Sequence, residues 1–469
     1  MIVETRFAAG LFILTAGGLM LSASRYKSNS LSQPIAFDIL NQTPDEPTRH
    51  HGEDTYNYCQ AERPTLEAYP DPKVRGATLV NAQLFVRHGD RTPATVNPRD
   101  LDLTWDCDNT TAYAFTGFGT GVEKAPFQHA NVVAHQIIAI PPASPFASTH
   151  MWKGTCIPGQ LTPVGAMQHR RLGAALRQIY VDKFKLLPVN FDPELVYIRS
   201  TDYWRTRQSA ENLMAGMFGI SRSSPDVPPP VLQIHTLPEE IEYLTMNTDA
   251  CPQLAHLKFV VDTNSPVLKR LKEENVEFLK ELDEILGISD KPLSAYLDTV
   301  LPRVCHGHPL PCHRTGEGDV KCLTSTSVAK IIDLVGTETN EEYRDAKGVF
   351  EVLRLGIGPL VDDIKRNLLL AKTNGKVRLS TYAGHDTTLL PLLGVFDAVD
   401  ARWPPYASNM LIELWTTRHN EYFVRVIYNG VIVQTKSQWC DLEWCPLETF
   451  IEYLDRFIVT DVATMCQRK

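Results

Sequence analysis

Residues 77 to 93 read ATLVNAQLFVRHGDRTP, and the fold turns on how that run is placed. Its first ten residues are mostly apolar, without the in-and-out alternation of a half-exposed strand. That pattern predicts a central strand covered on both faces. "PELVYIRS" (193–200) and "KVRLSTYAGH" (376–385) read the same way. "ASNMLIELW" (407–415) and "YFVRVIYNGVIV" (422–433) predict two later strands in a hairpin-like pair.

Helical patterns lie between the strands. "LTPVGAMQHRRLGAALRQIYVDKF" (161–184) has Thr162 as N-cap and Pro163 at the first helical position, with Leu172, Leu176, Ile179 and Tyr180 at helical spacing. "SPVLKRLKEENVEFLKELDEILGI" (265–288) sets Leu268, Leu271, Phe278, Leu282 and Ile285 on one face and ends at Gly287. "SSPDVPPPV" (223–231) reads as an extended linker. The expected fold is α/β: a layered mixed sheet flanked by helices, with cap insertions at about 95–190 and 222–340 over the strand ends.

The chain has 469 residues, 43% of them hydrophobic, and a formal net charge of −9. That is globular composition, and an acidic body argues against nucleic acid as the partner. Phe7 to Ala23 is almost wholly apolar between Arg6 and the pair Arg25 and Lys27, which predicts a signal peptide or membrane anchor over residues 1–24, with a mitochondrial presequence as the alternative. Residues 25–76 read as a polar stem, so order is expected from about Ala77 through to residue 469. Ten cysteines fit an oxidising compartment, and the spacing of Cys440 and Cys445 suits a closed loop. Asn41 and Asn109 head glycosylation sequons. Composition says nothing about oligomeric state.

Ligands of open α/β sheets gather beyond the carboxyl ends of the strands. Arg87, His88, Asp90 and Arg91 leave one strand there. "YIRSTDYWRTRQSA" delivers Arg199 at a second strand end, and "YAGHDTTLLPLL" delivers His385 and Asp386 at a third. Guanidinium forks match phosphate oxygens two at a time. Gly89 permits backbone angles that other residues avoid. Asp90, between two arginines, is expected to orient a guanidinium through a salt bridge.

"RHGDRTP", "RSTD" and "GHD" together resemble the histidine acid phosphatases, the acid phosphatase and phytase branch of the histidine phosphatase superfamily. The likeness runs from about Ala77 to Cys466, takes in "GQLTPVGAMQH", "WPPYASNMLIELW" and "CPLETF", and extends to the lysophosphatidic acid and 2-phosphoxylose phosphatases. It implies a phosphoglycerate mutase-like fold. It implies His88 as the nucleophile that becomes a phosphohistidine, Arg87, Arg91, Arg199 and His385 as the phosphate pocket, and Asp386 as proton donor. It implies no metal and no cofactor, and a small phosphorylated substrate: a lipid, glycan or inositol phosphate. The chemistry agrees. Cations offset the negative oxygens of a monoester, a neutral imidazole attacks, and an acid must protonate the departing alkoxide, which favours mildly acidic pH.

Other readings compete. "DLDLT" (100–104) has the aspartate pattern of Mg²⁺-dependent phosphatases, but polar residues and Pro98 precede it where that chemistry needs a buried strand. "CHGHPLPCH" (305–313) offers zinc donors at an unusual spacing, and its cysteines are better suited to disulfides. A phosphoglycerate mutase would share the phosphohistidine, and a membrane-tethered binding module would keep only the pocket. "GFGTG" (117–121) has no strand before it and reads as a loop.

Overall fold

In the computed structural model, residues 57–97, 99–107, 113–116, 133–136, 150–220, 231–289, 291–314, 316, 318–373 and 375–467 are described. The apolar segment 7–23, both sequons, "GFGTG" and nearly all of "SSPDVPPPV" lie outside them.

One sheet organises the molecule. Its strands are β1 (Thr78–Arg87), β2 (Val196–Ser200), β3 (Ile234–His235), β4 (Leu379–Gly384), β5 (Asn409–Thr416), β6 (Tyr422–Tyr428), β7 (Val431–Ile432) and β8 (Cys445–Pro446). The order is β7-β6-β5-β1-β4-β2-β3, with β8 also paired to β6. β1, β4, β2 and β3 run parallel, whereas β5 pairs antiparallel with both β1 and β6. The expected pair of late strands is thus a true hairpin on the other flank of β1.

The near-continuous apolar run of β1 has its predicted cause. Leu84 and Val86 pack with Leu172 and Leu176 of α1 (Pro163–Arg177) and Leu213 and Met214 of α2 (Trp204–Phe218). Phe85 faces the opposite layer, which holds Leu254 and Val261 of α3 (Pro252–Asn264), Val352 and Leu353 of α8 (Val349–Gly356), Leu360 and Ile364 of α9 (Gly358–Lys372) and Leu389 and Leu393 of α10 (Asp386–Val395).

The cap has an apolar core of its own. α5 (Val276–Leu286), α6 (Leu293–Cys305) and α7 (Ser325–Asn340) enclose Leu282, Ile285, Leu297, Val300, Ile331 and Val335.

Several expectations need correction. Packed structure begins before Ala77: Cys59 is disulfide-bonded to Cys305, and Tyr69 is buried with its hydroxyl on Glu413 at 2.5 Å. Residues 163–177 form a layer against the sheet rather than a cap over its ends, because Leu172 and Leu176 repeat at a spacing that fits the β1 face. The long helix of 265–286 breaks at Asn275 (φ −116°, ψ 13°) into α4 (Pro266–Glu274) and α5. Gly287 ends α5 in the left-handed region, as its position predicts.

All ten cysteines pair: Cys59–Cys305, Cys107–Cys156, Cys251–Cys466, Cys312–Cys322 and Cys440–Cys445. Among the described residues, no helix is long and apolar enough to cross a membrane.

Candidate active site

Strand register sets the site. Arg87 of β1 stands opposite Gly384 of β4, and Ala383 of β4 opposite Ser200 of β2, so three parallel strands end side by side. Backbone bonds continue past the ends: His88 N–H donates to Gly384 O at 2.9 Å, and Thr201 N–H to Ala383 O at 3.1 Å. The next residues of the three strands meet at one carboxyl edge, where this class of sheet holds ligands.

The loop after β1 is held through its backbone. Gly89 N–H donates to Ser209 Oγ at 3.1 Å, Asp90 N–H to Gln168 Oε1 at 2.8 Å, and His169 Nε2 to Arg87 O at 3.1 Å. Thr162 N–H donates to Asp90 O at 3.0 Å. α1 therefore holds this loop with its N-terminal turn. Gly89 is needed for closeness rather than for unusual angles: a Cβ there would sit 2.4 Å from Gly165 O, and one on Gly165 would sit 2.2 Å from Asp90 O.

His88 is buried, and its Nδ1 lies 2.8 Å from Gly89 O. A carbonyl only accepts, so Nδ1 carries the proton and Nε2 keeps its lone pair. Burial, and then the charges of Arg87, Arg205 and Arg91, hold the imidazole well below its ordinary pKa. The ring is neutral and nucleophilic even at mildly acidic pH. His385 lies edge-on to it, with centroids 5.6 Å apart, and its Nε2 meets the Thr201 hydroxyl at 2.9 Å. Burial, and then Arg205, Arg91 and Arg87, lower His385 in the same way.

The arginines are held from behind. Arg87 donates to Pro404 O at 2.5 Å, pairs with Asp386 at 2.8 Å and lies 4.5 Å above the Tyr406 ring. Arg91 pairs with Asp298 at 2.5 Å. Asp386 opens α10 and accepts from Thr387 N–H at 2.8 Å.

The structure thus brings Arg87, His88, Arg91, His385 and Asp386 together and assigns Arg199 elsewhere. Arg199 is buried, its guanidinium 2.6 Å from Glu242 and 4.1 Å above the Tyr243 ring. It pairs across the sheet with Tyr382, which stacks on Phe85, so it extends into that face of the sheet. The guanidinium this segment sends to His88 is that of Arg205, on the first turn of α2. Burial, and next the charge of Arg91, pull it down to about 10, still cationic at neutral pH. A sequence signal for it exists: "TDYW" between the strand and Arg205 marks a helix start, and helix N-termini at this sheet edge face the ligand.

Asp90 also differs from expectation. Its carboxylate takes the Thr162 hydroxyl at 2.5 Å and His306 Nε2 at 2.6 Å rather than a guanidinium. The partners of the remaining candidates answer the metal-site readings. Cys305 and Cys312 are both disulfide-bonded. Asp100 is buried against Arg303 at 2.5 Å and accepts from Asn97 N–H at 2.8 Å, so it is no nucleophile at a strand end.

Three cationic arms around a neutral imidazole, beside a carboxyl group at a parallel-sheet edge, define a phosphate-handling site. The chain belongs to the histidine phosphatase superfamily (branch 2), whose family model matches residues 78–429. Among individual proteins it is 29% identical over 420 residues to counting factor 60 of Dictyostelium discoideum, covering 87% of this chain and 92% of that one. It is 28% identical to human 2-phosphoxylose phosphatase 1 (81% and 77% covered) and 28% identical to human lysophosphatidic acid phosphatase type 6 (81% and 84%). Its fold is shared with the phytase of Citrobacter braakii, at TM-score 0.53 and 17% identity, covering 82% of this chain and 99% of that one.

Proposed function

We propose that this chain is an acid phosphatase that hydrolyses phosphate monoesters through a phosphohistidine on His88, with no metal in the reaction. One observation carries the reading. Among the described residues, the Nε–H groups of Arg87, Arg91 and Arg205 are buried without a partner, around an imidazole whose Nδ1 carries the proton and leaves Nε2 to attack. Unpaired buried donors are costly, and an oxyanion satisfies them.

The steps follow from the atoms present. The ester phosphate settles among the three guanidinium groups, which offset its charge as it passes to the nucleophile. His88 Nε2 forms the P–N bond as the P–O bond to the alcohol breaks. Asp386 gives its proton to the leaving oxygen. The incoming phosphate competes with Asp386 for Arg87 and so loosens the pair that the two make. Water then attacks phosphorus, Asp386 takes a proton from it, the P–N bond breaks and inorganic phosphate leaves.

The two human phosphatases named above take their names from compounds with a phosphate on an alcohol oxygen, and this supports an alkyl monoester on a sugar or lipid as the substrate class here. Five disulfides support folding in the secretory pathway.

The test is to mix the full chain briefly with a ³²P-labelled monoester and quench in alkali, where phosphohistidine survives. The label is expected on the His88 peptide, with His88→Ala neither labelled nor active. Activity is expected to withstand EDTA; loss in EDTA that Mg²⁺ restores overturns the proposal.

A further inference from the structure

α6 is laid along residues 90–100, just after the nucleophile. Asp298 takes Arg91 and the Ala94 N–H at 2.5 and 2.9 Å, Thr299 takes Asn97 at 2.9 Å, and Arg303 takes Asp100 at 2.5 Å. Just beyond α6, past Cys305 and its bond to Cys59, His306 reaches back to Asp90.

That last contact differs in kind. Asp90 is 1% exposed and lies between the nucleophile and Arg91, inside the most cationic turn of the chain. A bare carboxylate there subtracts from the field that draws in a phosphate. Its side-chain partners are the neutral hydroxyl of Thr162 and His306. His306 is therefore the cation that balances it. The carboxylate only accepts, so His306 Nε2 carries the shared proton.

The surroundings isolate this pair. Trp105 lies edge-on to His306 at 4.9 Å between centroids, and His308 stacks at 6.1 Å. Arg303 is committed to Asp100, and burial together with the charges of His306 and Arg303 lowers His308 below its ordinary value. Burial works against a charge on His306, but the hydrogen bond and the charge of Asp90 outweigh it and raise the imidazole above its ordinary value. The ring is 20% exposed, so protons reach it from solvent.

Resting on the phosphatase reading, we infer that His306 is a positioning residue that neutralises Asp90 and thereby sets an upper pH limit on anion binding at the His88 pocket. In acid the imidazolium cancels Asp90 and the pocket is fully cationic. Above the imidazole's titration the proton leaves, Asp90 is uncompensated, and the pocket weakens for any dianion.

Sulfate is the probe, because it stays a dianion across the mildly acidic to mildly alkaline range. Inhibition of p-nitrophenyl phosphate hydrolysis by sulfate is measured against pH for wild type, His306→Gln, Asp90→Asn and the double variant. Wild type is expected to bind sulfate tightly in acid and to lose about tenfold through an inflection above about pH 6.5, the order of one unit charge at about 10 Å. His306→Gln should bind weakly throughout, with no inflection and with KM raised more than kcat falls. Asp90→Asn, alone or combined with His306→Gln, should bind tightly throughout. The single Asp90 variant decides the outcome if His306→Gln does not fold. A His306→Gln profile that overlays wild type, a loss of kcat alone, or an Asp90→Asn profile that keeps the inflection overturns the inference. Wild type that neither turns over nor binds sulfate overturns the phosphatase reading instead.

Discussion

Arg199 and Arg205 leave the same strand-to-helix segment for opposite destinations, and substitution separates them. Arg199 is a buried counter-ion to Glu242. Arg199→Met leaves that carboxylate unpaired, so a loss of about 3–5 kcal/mol is expected by denaturant titration, with phosphate inhibition little changed. Arg205→Ala is expected to cut kcat by about 10²–10³, the effect of removing one transition-state donor, with stability nearly intact. If phosphate inhibition weakened in the first variant and stability fell in the second, the two roles would be reversed. Asp386→Asn keeps the Arg87 contact but has no proton to give. Hydrolysis of β-glycerophosphate should slow far more than that of p-nitrophenyl phosphate, whose leaving group needs little help. Equal losses on both would remove Asp386 from the leaving-group step.

At the scale of elements, the site is a junction between the loop after β1 and the first turn of α1. Thr162 caps that helix through Gly165 N–H and also holds Asp90, and Gln168 and His169 secure the loop backbone. The two glycines let the backbones touch. Gly165→Ala pushes a methyl into Asp90 O, so the loop must retreat. Overpacking of this kind costs about 1–3 kcal/mol, and the loop it moves carries His88. Activity is expected to fall further than the melting temperature suggests, as read by kinetics beside thermal unfolding. Wild-type values for both would mean the backbones part freely. Apart from the Thr162 cap, these supports are not visible in the sequence: "QH" in "GAMQHRR" reads as two polar residues on a helix, and only the docking of α1 shows what they bind.

For the whole molecule, buried titratable groups pull stability in opposite directions with pH. Glu338 on α7 shares a pocket with Glu342, Asp262, Lys258 and Lys272, and burial followed by the Glu342 charge raises it to about 8. A raised carboxyl contributes stability that is complete below its unfolded value near 4.5 and lost as pH climbs toward 8. Glu338→Gln should therefore stabilise the fold most near pH 8, by a few kcal/mol, and hardly at all near pH 4.5. His88, His385 and His169 act the other way. Burial lowers all three, His169 to about 4, so the unfolded chain takes up protons first as pH falls below about 6.5 and stability declines. The melting temperature is expected to peak near about pH 6; a steady rise from about pH 6 to 8 would contradict the Glu338 assignment, and no decline below about pH 6 would contradict that of the histidines. The amino-acid order alone determined the five longest strands of the sheet, the position of His88 at a strand end and the meeting of β1, β2 and β4 at one edge, because burial on both faces and turn chemistry are written locally. Only the tertiary structure decided that Arg205 rather than Arg199 faces the imidazole, that Asp90 answers to His306, and that Cys59, Ala61 and Tyr69 tie the segment before Ala77 to the domain. Those outcomes depend on which side chain a distant segment meets, and no local pattern of apolar and polar residues carries that distance.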